Sequence, residues 1–152
     1  MLRLEDWSTV WDPRGQQEAA LPQAATRFAA LRCRHMSKLH GREVLIVEDE
    51  PLIALEIAQA FHDAGARVTT TTTLKQAVTL VEHDGLAAAI LDHALGDGDS
   101  TTLCERLKER NIPFVIYSGL DKVSGACAEG VLLGKPASAD VLIATVEGLL
   151  AA

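Results

Sequence analysis

Residues 87–100 read AAAILDHALGDGDS. An apolar run ends abruptly in Asp92, and two further carboxylates, Asp97 and Asp99, follow before Ser100. A short continuous apolar run is the pattern of a strand buried on both faces, as in a parallel sheet covered by helices. Asp92 is therefore held by a strand behind it. Asp97 and Asp99 fall in a Gly-containing loop, where acidic residues are common and solvated. Asp92 is the candidate for chemistry, and the other two read as loop solubilisers.

The same pattern extends outward on both sides. Val44–Val47 is a second buried apolar run, followed by Pro51 at a position the first helical turn tolerates. Ile53, Ile57, Ala60, Phe61 and Ala64 then line one helical face until Gly65. Arg67–Thr72 reads as a β-branched strand, with Thr69–Thr73 as strand end and loop, and Leu74–Val81 reads as a helix broken by Gly85. After the Leu86–Leu91 strand, Leu103 and Leu107 mark a helix running to Arg110. Ile112–Tyr117 and Val131–Leu133 are two more strands, and Ser138 caps a last helix carrying Val141, Leu142, Thr145, Val146 and Leu149. Only a stub of helix, around Asp121–Ala128, fits between Ser118 and Lys135. Strands alternating with helices predict an α/β fold, a five-stranded parallel sheet flanked by helices, with a shortened fourth helix.

Composition narrows the function classes. The 152 residues carry a net charge of −7, which disfavours a nucleic-acid binder needing a basic face. Aromatic residues make up 4%, so the core must be aliphatic and alanine-rich. Cys33, Cys104 and Cys127 are far apart and odd in number, which points to free thiols rather than a disulfide framework or zinc site. No apolar run long enough for a membrane span and no secretory h-region are present, so a cytoplasmic location is expected. Residues 1–36 read as an N-terminal extension. It is disordered or holds one amphipathic helix with Leu21, Ala24, Phe28 and Leu31 on one face, or translation begins at Met36. Residues 37–152 are the main domain.

In an open parallel α/β sheet, sites form beyond the C-terminal ends of the strands. Glu48 and Asp49 follow the first strand, Asp92 the third, Ser118 the fourth and Lys135 the fifth. Carboxylates gathered at one point repel unless a cation joins them, and all-oxygen ligands with waters suit Mg²⁺. A carboxylate beside Mg²⁺, a hydroxyl and an ammonium makes a site for phosphoryl transfer, with Asp92 as nucleophile.

VLIVEDEP, ILDHAL, VIYSG and GKP, in this order, resemble the signatures of receiver domains of two-component response regulators, from about Glu43 onward. The resemblance implies the flavodoxin-like strand order 2-1-3-4-5 and phosphorylation of Asp92 by a sensor histidine kinase or histidine phosphotransfer protein. It further implies Glu48 and Asp49 as metal ligands with Asp92 and the Ala94 carbonyl, Ser118 as the switch hydroxyl, Lys135 as the phosphate-pairing lysine, and a cis Lys135–Pro136 bond. A single-domain regulator acting on a downstream effector protein is expected, with neither nucleic acid nor membrane as partner. Leu132 stands where the family usually carries an aromatic. The fourth strand is partly similar to an alphaproteobacterial subfamily with a Phe-Ala-Thr-Gly-type motif, Ser118 replacing its Thr.

Two rival readings use the same residues. Asp97-Gly98-Asp99-Ser100-Thr101 fits the D-x-D-x-T motif of haloacid-dehalogenase-type phosphohydrolases, but HALG rather than an apolar strand precedes it. A receiver-like module that binds partners without being phosphorylated is the other. His93, next to Asp92, is read as a core or surface histidine.

Overall fold

The structure, a computed structural model, describes residues 37–152. The expected helix over Leu21–Leu31 and the alternative start at Met36 lie outside them. Strands are β1 (Glu43–Val47), β2 (Arg67–Thr71), β3 (Leu86–Leu91), the two-residue β4 (Ala94–Leu95) and β5 (Gly98–Asp99), β6 (Phe114–Ser118) and β7 (Val131–Gly134). Helices are α1 (Pro51–Asp63), α2 (Leu74–Val81), α3 (Thr101–Glu109) and α4 (Ala139–Ala151), with a 3₁₀ turn at Gly125–Glu129. Among the described residues no helix is long and apolar enough to cross a membrane.

β2-β1-β3-β6-β7 form one parallel sheet, which is the flavodoxin-like order. Successive side chains of a strand point to opposite faces, so the continuous apolar runs feed two cores. Leu45, Val47, Ala89, Leu91, Phe114 and Ile116 pack against α2 and α3. Val44, Ile46, Ala88, Ile90, Val115 and Tyr117 pack against α1 and α4. Ser37 and Lys38 are tied to α4, both donating to the Glu147 carboxylate, at 2.6 and 3.1 Å.

The helix caps follow the sequence. Pro51 opens α1, Thr73 accepts from the Gln76 N–H to cap α2, and Ser138 accepts from the Val141 N–H to cap α4. The stub helix around Asp121–Ala128 is instead a 3₁₀ turn beginning at Gly125, whose φ of +62° breaks any regular α-helix there. The turn ends at Gly130, where a Cβ would come within 2.3 Å of the Phe114 ring.

Cys104 of α3 and Cys127 of the 3₁₀ turn form a disulfide, which corrects the expectation of free thiols. Spacing concealed it. The pairing depends on the turn packing against α3, which brings the two Cα atoms to 5.1 Å and buries both side chains fully. The Ser100 hydroxyl lies 3.8 Å from the Cys127 sulfur.

Asp97 is no mere solubiliser. Its carboxylate accepts from the Leu74 N–H at 2.9 Å and the Lys75 N–H at 3.2 Å, so the β4–β5 ribbon is pinned to the first turn of α2. These two donors belong to the unpaired amides of a helix start, where a carboxylate is also favoured by the dipole. The Leu74 N–H contact, followed by that of Lys75, holds the Asp97 carboxyl below the ordinary Asp value of about 3.9. A depressed folded-state value contributes stability that is present above the unfolded value and lost as pH falls through the folded one. Asp97→Ala is expected to lower the thermal midpoint at neutral pH. The difference from the parent should close as the pH drops below the Asp range, as scanning calorimetry across pH would show.

Candidate functional site

The backbone ladder runs one residue past the strands and aims the polar side chains. Glu48 N–H donates to the Thr71 carbonyl at 3.1 Å, Asp92 N–H to the Val47 carbonyl at 2.8 Å, and Lys135 N–H to the Ser118 carbonyl at 2.9 Å. Each residue following a strand therefore takes its place from the neighbouring strand, and Glu48 and Asp92 end side by side. The Lys135 ammonium donates to Glu48 Oε2 and Asp92 Oδ2, both at 2.8 Å. Glu48 is 2% exposed and Asp92 8%.

Asp49 is exposed, yet carboxylate oxygens of Glu48, Asp49 and Asp92 lie within 4.8 Å of one another. Three carboxylates against one ammonium leave two negative charges uncompensated, which is the deficit a divalent cation fills. The donor set is all oxygen, so it fits a hard ion such as Mg²⁺.

A family model, the response regulator receiver domain, matches residues 44–147. The chain belongs to this family. SdrG from Sphingomonas melonis Fr1 is 36% identical, with a TM-score of 0.63 over 72% of this chain and 97% of that one. The Francisella response regulator 1452 receiver domain is 28% identical, with a TM-score of 0.64 over 73% and 98%. Transcriptional regulatory protein TcrA of Mycobacterium tuberculosis is 28% identical over 76% of this chain and 49% of its own length. The chain thus spans about half the length of the curated relatives it matches. A receiver is the phosphoacceptor module of two-component signalling.

In this receiver Ala94 contacts the carboxylate cluster, while Ser118 and Leu132 are placed by their own strands. Ser118, 2% exposed, ends β6, and its hydroxyl accepts from the Leu120 N–H at 3.3 Å rather than touching Asp92. The Ala94 N–H donates to Asp92 Oδ1 at 3.1 Å, which sets the chain direction just past the acid. The Lys135–Pro136 peptide is cis. Leu132 is partly buried against the α2–α3 core.

Electrostatics ties these groups together. Burial pushes the Glu48 carboxyl up, and the Lys135 ammonium and Glu50 N–H offset only part of that. Burial also opposes the charge on Lys135, but the hydrogen bonds and charges of Asp92 and Glu48 outweigh it and hold the ammonium above its ordinary range. Lys135 clamps the two buried carboxylates together.

Sequence reasoning missed three neighbours. The His93 ring nitrogen Nδ1 lies 3.1 Å from the Ser100 hydroxyl, so this half-buried histidine braces the end of the ribbon. Asp99 accepts from the Thr101 N–H at 2.9 Å. Tyr117 places its ring under the Lys135 ammonium, 5.3 Å from centroid to Nζ. It is the one tyrosine of the chain and directly precedes Ser118, which is the signal that was available.

Proposed function

We propose that residues 37–152 are a single-domain, Mg²⁺-dependent response regulator that takes a phosphoryl group onto Asp92 from a sensor histidine kinase or histidine phosphotransfer protein. It then acts on a downstream effector protein in the cytoplasm. One observation carries this reading: the Lys135 ammonium bridges Glu48 and Asp92 at strand tips where Asp49 completes an oxygen cluster.

In the transfer, an Asp92 oxygen forms a bond to phosphorus as the P–N bond of the phosphohistidine breaks, and the donor imidazole keeps the electron pair. Glu48, Asp49, Asp92 and the Ala94 carbonyl would hold Mg²⁺, which supplies charge neutralisation for phosphoryl oxygens. Lys135, already in contact with the nucleophile, follows the charge from carboxylate to phosphoryl oxygen. Ser118 ends β6, and its hydroxyl, bonded to the Leu120 N–H, would turn to the new group. The phosphohydrolase reading gains no support, because Asp97 and Asp99 are engaged with backbone N–H groups rather than presented at a strand tip.

Incubation with acetyl phosphate and Mg²⁺ tests the proposal. One phosphoryl group per chain, mapped to Asp92 and prevented by chelation, is the expected result. Sustained turnover of phosphoesters would indicate the hydrolase instead, and absence of label would indicate the binding module.

Mg²⁺ alone gives a second test. An ion bound to the native state at a hundred times its Kd stabilises by about 2.7 kcal/mol. The parent is expected to gain stability of that order in urea titrations with Mg²⁺. Asp49→Asn should retain the metal-free fold, since Asp49 is exposed, and lose most of the gain.

A further inference from the structure

We propose that Tyr117 is a positioning residue that holds the Lys135 ammonium at the phosphoacceptor, and this rests on the phosphoacceptor reading above. Tyr117 is 6% exposed and belongs to the core packed on α1 and α4. A leucine or isoleucine would fill such a place without a polar group to satisfy. The hydroxyl instead makes two contacts with one residue: it donates to the Ala137 carbonyl and accepts from the Ala137 N–H, each at 3.2 Å. The loop that leaves β7 is thereby fixed two residues beyond Lys135.

The ring does a second thing. Lys135 Nζ lies 5.3 Å from its centroid, inside the range of about 6 Å for a cation–π contact. One side chain of β6 therefore holds both the ammonium and the backbone that carries it. A ring face attracts a cation over an area instead of along one bond direction. Lys135 can shift from the Asp92 carboxylate to a phosphoryl oxygen while keeping this contact, which the two directional bonds at 2.8 Å do not allow. Tyr117 and Ser118 are consecutive in β6, so the same strand end supports the ammonium and the hydroxyl.

The test is a double-mutant cycle read on labelling rate. Tyr117→Leu removes ring and hydroxyl, while Tyr117→Phe keeps the ring. With acetyl phosphate and Mg²⁺, Tyr117→Leu is expected to label about tenfold more slowly than the parent, the kinetic equivalent of a partly desolvated cation–π contact. Tyr117→Phe should recover most of that loss. In a Lys135→Met background, which labels slowly but measurably, Tyr117→Leu should have no further effect, because it acts through the ammonium. A core residue alone would slow labelling by the same factor in both backgrounds, and that result, or an unaltered rate in Tyr117→Leu, overturns the proposal. A parent that takes no label overturns the phosphoacceptor reading and the role of Tyr117 with it. A labelled parent with equal losses overturns only the role of Tyr117.

Discussion

Asp92→Asn is expected to take no phosphoryl group from acetyl phosphate under conditions that label the parent fully, and to remain folded. The amide oxygen is a far weaker nucleophile than a carboxylate oxygen, and loss of a nucleophile removes most of an active site's chemistry at once. Its neighbours do not substitute for it. Glu48 is the more deeply buried, 2% exposed against 8% for Asp92, and Asp49 is exposed. The fold survives for a visible reason: an asparagine oxygen can still accept the Ala94 N–H that Asp92 Oδ1 now accepts, and Lys135 keeps Glu48. Intact mass reads the label, and far-UV circular dichroism reads the fold. Label persisting in Asp92→Asn would place the acceptor elsewhere.

Lys135→Met is expected to cost both stability and rate. Methionine preserves much of the apolar stem but leaves Glu48 and Asp92 facing each other without the ammonium now 2.8 Å from both. Removing one partner of a buried ion pair typically costs about 3–5 kcal/mol. Lys135 retains 19% side-chain exposure, so water relieves part of this, and a loss of about 2–3 kcal/mol in metal-free urea unfolding is expected. Mg²⁺ should restore much of it, because a divalent cation meets the same charge deficit. Labelling should fall about a hundredfold, the usual effect of deleting one group that stabilises transition-state charge. An unaltered unfolding midpoint without metal would show that the Lys135 clamp contributes nothing to the resting fold.

Much of the architecture was legible because burial on both faces of a central strand writes an unbroken apolar run. EVLIV and LAAAIL could be read that way, and they are adjacent in the sheet. Edge strands were less clear. β2 presents Arg67, Thr69 and Thr70 to solvent, so its signal is β-branching rather than apolarity. The connection from Ser118 to Lys135 was the least legible part. The length available there left room for only a stub of helix, but a 3₁₀ turn bonded to α3 through Cys127 has no periodicity to betray it.

By itself the sequence determined which residues stand at the strand tips, because hydrophobic periodicity is local and a tip is where it stops. Glu48, Asp49, Asp92, Ser118 and Lys135 were identified in that way. Only the tertiary structure decided how they and their neighbours are partnered. Lys135 meets Glu48 across 87 positions of sequence, Asp97 meets the start of α2 across 23, and Cys104 meets Cys127 across another 23. Such contacts are set by strand register and helix docking, which sum many weak interactions over the whole domain and leave no mark at either residue alone.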